Sequence, residues 1–144
     1  MSTTTTDRPG TTSGLSATRL NVMRAAYLLM GLGLALVKWP QLPDAADLPL
    51  YEGVTLSLLT AMSLMALLGV RHPVKLLPVL LFESAWKVLW IALVALPQGL
   101  SGEMDAATAE VAVNCSLVVV VVAAVPWRWV WREYVRADGD RWRS

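Results

Sequence analysis

Apolar residues fall into four long blocks along the chain, at about residues 21–39, 50–70, 73–96 and 106–125. Short polar or proline-containing segments separate the blocks. Each block is close to the roughly 20 residues that an α-helix needs to cross about 30 Å of hydrocarbon. The pattern therefore predicts an all-α fold with four transmembrane helices. Because the connections are short, neighbouring helices should be antiparallel and form a four-helix bundle.

The fourth block contains a valine run, Val118 to Val122, that would favour a β-strand in water. A backbone in lipid must satisfy its own hydrogen bonds, so we predict a helix there. Asp105 precedes the block and is a suitable N-cap for this helix.

Proline and glycine mark the expected ends of the helices. Pro40 should end the first helix, and Pro73 should lie in the first turn of the third. Pro78 is expected to bend the third helix near its start. Pro97 and Gly99 should close it.

Charged residues alternate between the connecting segments. Ten of the twelve basic residues lie in the N-terminal segment, in the connection between blocks two and three, or after block four. Acidic residues dominate the other two connections, with Asp44, Asp47 and Glu52 in one and Glu103, Asp105 and Glu110 in the other. By the positive-inside rule, both termini should be cytoplasmic. We expect a multi-pass protein of the cell membrane.

Three regions follow from this division of the chain. Residues 1–18 are rich in Ser, Thr and Gly and should form a disordered cytoplasmic tail. Residues 19–126 should form the transmembrane domain. The first helix is interpreted as retained, because no small-residue cleavage site follows it. Residues 127–144 should form an interfacial or cytoplasmic tail rich in Trp and Arg.

The third block carries two charges near its middle, Glu83 and Lys87, where a charge costs roughly 2.5–3.5 kcal/mol to insert. Their spacing places both on one helix face, so they can neutralise each other. Trp86 and Trp90 share that face, and Asn114 on the fourth helix is a candidate partner. This candidate intramembrane polar site is either a structural ion pair or a functional site: a proton relay, an ion path, or a polar anchor for a headgroup or quinone.

The segment after Pro126 alternates aromatic and basic side chains. Arg128, Arg132 and Arg136 repeat every four residues, beside Trp127 and Trp131. This pattern is typical of an aromatic belt that continues into a basic helix face at the membrane surface. The expected partners are the bilayer, anionic lipid headgroups at the cytoplasmic face, and an unidentified membrane or cytoplasmic protein. Nucleic acid is not expected.

Composition supports a membrane protein and offers little for catalysis. The chain has 144 residues, of which 56% are apolar, and a net charge of +1. Cys115 and His72 are its only cysteine and histidine, so neither an intrachain disulfide nor a zinc site is expected. We find no nucleophile, metal or phosphate motif, and therefore expect no enzyme activity and no cofactor.

Two stretches resemble small bacterial four-helix membrane proteins of unassigned function: His72 to Trp90, and Pro126 to Arg143. The resemblance implies the same four-helix fold and carries over no functional residue. The first helix resembles DoxX-like four-helix membrane proteins through Arg24, Gly31 and Lys38.

The leading hypothesis is a non-enzymatic membrane protein with a structural or partner-binding role. Two alternatives remain open. One is a small transporter or ion or proton conductor that uses Glu83 and Lys87. The other is a quinone- or redox-linked accessory protein, suggested by the DoxX-like resemblance alone.

Overall fold

The computed structural model describes residues 14–139, and this part of the chain is helical without any strand. The α-helices are α1 (Ala17–Lys38), α2 (Leu50–Arg71), α3 (Leu77–Trp90), α4 (Leu96–Ser101), α5 (Ala106–Ser116), α6 (Val118–Ala124) and α7 (Trp127–Val130). A 3₁₀ segment covers Trp39–Asp47, and π-helical turns cover Ile91–Ala95 and Trp131–Arg136. Most of the expected N-terminal tail, residues 1–13, lies outside the described residues.

Four of the resulting helical stretches are long and apolar enough to cross a membrane: Ala17–Asp47, Leu50–Arg71, Leu77–Ser101 and Ala106–Ala124. The prediction of an all-helical fold with four long apolar helices is therefore confirmed. The valine run is helical within α6. Asp105 is the N-cap of α5, and its carboxylate accepts a 2.7 Å hydrogen bond from the Thr108 amide.

The start of the third span differs from the expectation. Pro73 lies in a turn, and α3 begins only at Leu77. Pro78 occupies the first turn of α3, where a missing N–H leaves no helical hydrogen bond unmade. Pro78 thus begins this helix and does not bend it.

The end of the third span also differs, because Pro97 and Gly99 lie inside the helix. A π-helical turn precedes Pro97, and in it the Leu96 amide bonds to the Ile91 carbonyl, five residues back. The wider turn changes the hydrogen-bond register, so Pro97 enters at the first turn of α4. The helix ends at Gly102, whose φ of +75° is the left-handed conformation that glycine adopts most easily.

The helices α1 and α2 approach each other closely at two glycines. A Cβ atom on Gly31 would lie 3.1 Å from the Leu67 backbone nitrogen, and one on Gly69 would collide with the Tyr27 ring. The absence of side chains at these positions allows the pair to pack tightly.

The core lies where α1, α2, α3 and α6 converge. The third span packs against the fourth, and α6 also packs against α1. The buried apolar cluster consists of Met23, Tyr27, Met30, Ala66, Leu77, Leu80, Val121, Val125 and Val130. Val130 belongs to α7, so the start of the C-terminal segment packs on the bundle.

One end of the bundle, here named the basic end, brings the start of α1 beside the ends of α2 and α6. Arg24 of α1 donates to the Val70 carbonyl of α2, and Arg19 donates to the Val125 carbonyl that follows α6. These contacts show that α1 runs antiparallel to both α2 and α6. The opposite end holds the acidic connections and is named the acidic end.

Candidate functional site

Glu83 and Lys87 form an ion pair within α3. The Lys87 Nζ atom lies 2.7 Å from the Glu83 Oε1 atom, one helical turn away. The Glu83 side chain is completely buried, whereas 14% of the Lys87 side chain is exposed. The expected pairing is therefore present, and it places a carboxylate and its counter-charge in the interior of the bundle.

Trp86 contributes a second contact to the carboxylate. Its indole Nε1 donates a 2.7 Å hydrogen bond to Glu83 Oε2, whereas Glu83 Oε1 is in ionic contact with Lys87 and has no hydrogen-bond partner among the described residues. The Lys87 ammonium also lies 5.7 Å from the centre of the Trp86 ring, within the range of a cation–π contact. Trp90 is half-buried one turn further on, and it makes no hydrogen bond to the pair.

The sequence of α3 explains why the charges point inward. Leu77, Leu80, Glu83 and Ser84 are its buried residues and recur at helical spacing. The Ser84 hydroxyl donates to the Leu80 carbonyl, which satisfies a polar group that would otherwise lie unpaired in the core. The ion pair thus lies on the face of α3 that packs against the fourth span.

Neighbouring helices contribute less to the pair than the sequence suggested. Asn114 is exposed, and its side chain makes no hydrogen bond to the described residues. Ser63 of α2 is buried, but its hydroxyl accepts from Trp39 Nε1 and donates to the Thr60 carbonyl. The residue of the fourth span near the pair is Cys115, which is buried within electrostatic range of both charges.

The carboxylate lies away from two open grooves of the described surface, since neither Glu83 nor Lys87 lines them. Within residues 14–139, no three His, Cys, Asp or Glu side chains come together as metal ligands would. The arrangement can hold two opposite charges in a mostly apolar interior.

Side chains of α1 donate hydrogen bonds to backbone carbonyls at the basic end. Arg24 Nε donates to Val70 O at 3.3 Å, and the Tyr27 hydroxyl donates to Pro73 O at 2.9 Å. Carbonyls at helix C-termini lack intrahelical partners and carry partial negative charge, so cations stabilise them. The sequence analysis assigned no partner to Arg19 or Arg24. The available signal for these contacts was that both arginines lie one or two turns into α1, opposite the ends of two other helices.

The C-terminal segment forms the second candidate site. Five side chains line an open groove of about 620 Å³ at the basic end, and we name it the Trp/Arg groove: Trp127, Arg128, Trp131, Arg132 and Arg136. All five are exposed. They are the residues that the alternating pattern indicated, and the structure brings them together.

Aromatic contacts hold the segment in place. Trp127 Nε1 donates to the Val122 carbonyl at 2.8 Å, and the Trp129 and Tyr134 rings meet edge to face with centroids 6.0 Å apart. Partial burial, with the charge of Glu133, raises the pKa of the Tyr134 hydroxyl. The Trp/Arg groove is thus built on a segment anchored to the bundle.

The two candidate sites differ in their chemistry. The contacts of the buried pair lie within its own helix, whereas the Trp/Arg groove presents cationic and aromatic side chains at the surface. Comparison with protein-family models, with curated proteins and with solved structures gives no match for this chain.

Proposed function

We propose that this chain is a multi-pass protein of a bacterial inner membrane, with a structural or partner-binding role and no enzymatic activity. Both termini face the cytoplasm. Glu83 and Lys87 stabilise the bundle, and the Trp/Arg groove is a contact surface for the cytoplasmic face of the membrane.

The outward-facing apolar surface is the observation that carries this proposal. In the most apolar window of each span, no more than 28% of the residues are buried within the chain. Large hydrophobic side chains cover the outside, including Leu36 at 78% exposure, Leu93 at 72% and Val113 at 70%. A monomer in water rarely exposes contiguous apolar area on this scale, whereas hydrocarbon would cover it without cost.

Charge supports the orientation of the protein. Arg19, Arg24 and Arg128 lie at the basic end, and Asp47 and Asp105 lie at the acidic end. Four crossings with basic connections on one side favour a cytoplasmic basic end. The arginine contacts with helix C-termini add a structural reason for cations to gather there.

The geometry of the ion pair favours a structural role over transport. A conductor needs an aqueous path to its charged groups, or a broken helix that exposes backbone carbonyls to the ion. Glu83 is fully buried, its Oε2 atom accepts from Trp86, and its Oε1 atom faces the Lys87 ammonium one turn away. The pair therefore favours one orientation of α3, in which the Glu83 side chain faces the interior of the bundle.

Cysteine labelling tests the topology cleanly, because Cys115 is the only cysteine. In a Cys115→Ser background, Asp44→Cys and His72→Cys place single thiols in the first and second connections. A membrane-impermeant maleimide added to spheroplasts should label Asp44→Cys, and should label His72→Cys only after permeabilisation. The reverse pattern would invert the proposed orientation, and equal labelling of both sites in intact spheroplasts would exclude it.

Reconstitution tests the non-conducting role. Proteoliposomes containing the wild-type protein should show the same proton and cation flux as empty liposomes, and Glu83→Gln should not change it. Flux that requires the protein and disappears in Glu83→Gln would replace the structural interpretation with the transport alternative.

A further inference from the structure

Two open grooves end near the same point of the bundle. The first, which we name the alanine groove, lies between α1 and α6 and has a volume of about 540 Å³. Its lining includes Ala25, Ala26 and Leu29 on one side and Val120, Ala123 and Ala124 on the other. The second is the Trp/Arg groove. Ala124 ends α6 and Trp127 begins α7, so two buried residues separate the lining of one groove from that of the other.

The alanine groove has the shape and chemistry for an alkyl chain. Its described lining is entirely apolar, and its small side chains leave a trough between two helices that larger residues would fill. Ala25 and Ala123 are exposed, so the trough opens to the outside of the bundle. A hydrocarbon chain lying in it would gain contacts along both helices.

The Trp/Arg groove carries three arginines, and the described residues pair only one of them with an acidic side chain. Among the described residues, Arg128 and Arg136 form no ion pair, and Arg132 reaches only Glu133, at 3.7 Å. Guanidinium groups suit phosphate oxygens, because their planar donors can bind two oxygens at once. The exposed rings of Trp127 and Trp131 suit the boundary between headgroups and acyl chains.

We propose that one anionic phospholipid binds across the two grooves. Its phosphate lies on the arginines of the Trp/Arg groove, and one acyl chain lies in the alanine groove. This inference rests on the proposed membrane location of the protein. A phospholipid suits the pair of grooves because it carries an anionic phosphate and an alkyl chain in one molecule, whereas an acidic protein segment would use only the arginines.

Lipid titration of the full-length protein in detergent tests the headgroup. Native mass spectrometry would measure binding of phosphatidylglycerol and of phosphatidylcholine with identical acyl chains. We expect one phosphatidylglycerol to be retained more tightly than phosphatidylcholine. Replacing Arg128 and Arg136 by glutamine should weaken it by roughly fivefold for each charge removed. The matched control, Arg71→Gln with Lys75→Gln, removes two exposed charges from the connection at the same end, and it should change binding by less than about twofold.

A second pair of variants tests the acyl chain. Ala123→Phe fills the alanine groove, whereas Ala61→Phe adds the same ring to an exposed position on α2. Only the first should lower lipid affinity. If Ala123→Phe does not fold, Ala25→Phe replaces it in this test, because it fills the same groove from α1. Glycerophosphoglycerol, which has the headgroup and no acyl chain, should compete poorly.

Several results would overturn the proposal. They are equal binding of the two lipids, equal loss in the groove and control variants, competition by the headgroup alone, or displacement of the lipid by an acidic peptide. None of these would affect the proposed topology, because micelles have no sides and cysteine labelling tests that separately. If cysteine labelling contradicted the proposed topology but the protein still preferred phosphatidylglycerol, the lipid site would remain and would lie at the other face of the membrane.

Discussion

Lys87→Met removes the counter-charge from a carboxylate that is wholly buried. In the native protein, Glu83 Oε1 faces the Lys87 ammonium at 2.7 Å, and Oε2 accepts the Trp86 indole N–H at the same distance. Methionine has nearly the length of lysine, so it fills the space without the charge. The variant keeps the Trp86 hydrogen bond and loses both the ion pair and the cation–π contact.

The expected cost follows from the burial of Glu83. Removal of one partner from a buried ion pair costs about 3–5 kcal/mol, because the remaining charge is left uncompensated. The Trp86 hydrogen bond still stabilises the carboxylate, so we expect a loss near the lower limit, about 3 kcal/mol. In the double variant Glu83→Gln with Lys87→Met, no charge remains, and the glutamine carbonyl can still accept from Trp86. That variant should lose only about 1 kcal/mol.

The assay is reversible unfolding of the purified protein in mixed micelles, followed by circular dichroism while a denaturing detergent is titrated. Lys75→Met makes the same substitution at an exposed position outside the helices, and it should change the free energy of unfolding by less than about 0.5 kcal/mol. If the single Lys87→Met variant and the double variant unfold with the same free energy, Glu83 does not depend on Lys87 and the pairing interpretation is wrong.

Three further outcomes are expected. Gly69→Ala should destabilise the protein by about 1–3 kcal/mol, because its Cβ atom would collide with Tyr27, whereas Gly33→Ala enters open space and should be neutral or stabilising in the same unfolding assay. Tyr27→Phe should lower stability by about 1 kcal/mol in that assay, since it removes a buried hydrogen bond to the turn before α3; an unchanged value would contradict that contact. The Thr108 amide lowers the pKa of Asp105, so its capping contribution is present at neutral pH and is lost as the pH falls through that lowered value. The protection of the Thr108 amide, meaning how much more slowly it exchanges than an unstructured amide at the same pH, should therefore fall on acidification in the wild type, and an Asp105→Asn cap should not share this dependence.

The sequence was sufficient for the presence of four long apolar helices and for the ion pair within one of them. The lengths of the apolar blocks predicted the four long helices. The helical valine run was predicted because a backbone in lipid must satisfy its own hydrogen bonds. The four-residue spacing of Glu83 and Lys87 was enough to anticipate their ion pair. Asp105 capped its helix as its residue type suggested.

Contacts between helices were harder to anticipate, because a helix that is apolar on every side does not show which face turns inward. Asn114 was expected to bridge helices, yet the fourth span is rotated so that Cys115 is buried and Asn114 is exposed. The hydrogen bond from Arg24 to the Val70 carbonyl could not be predicted either, because it depends on how α1 and α2 are aligned.

The proline positions led to wrong predictions for both ends of the third span, and the reason is local in each case. A proline restricts the helix only through its missing N–H and its ring, and both constraints vanish in the first turn. Pro78 occupies such a turn directly. Pro97 also lies in a first turn, because the π-helical turn just before it shifts the hydrogen-bond pattern and a new α-helix begins there. A π-helical turn has no clear sequence signal, so the length of this helix could not be derived.

Extraction of the full-length chain from cell membranes tests most directly whether its apolar helices reside in lipid. Membranes washed with alkaline carbonate lose peripheral proteins and keep integral ones. We expect the protein to stay in the washed membrane pellet and to enter solution only with detergent. A folded, monodisperse monomer in the carbonate supernatant, stable in buffer without detergent, would contradict the membrane location and every proposal built on it.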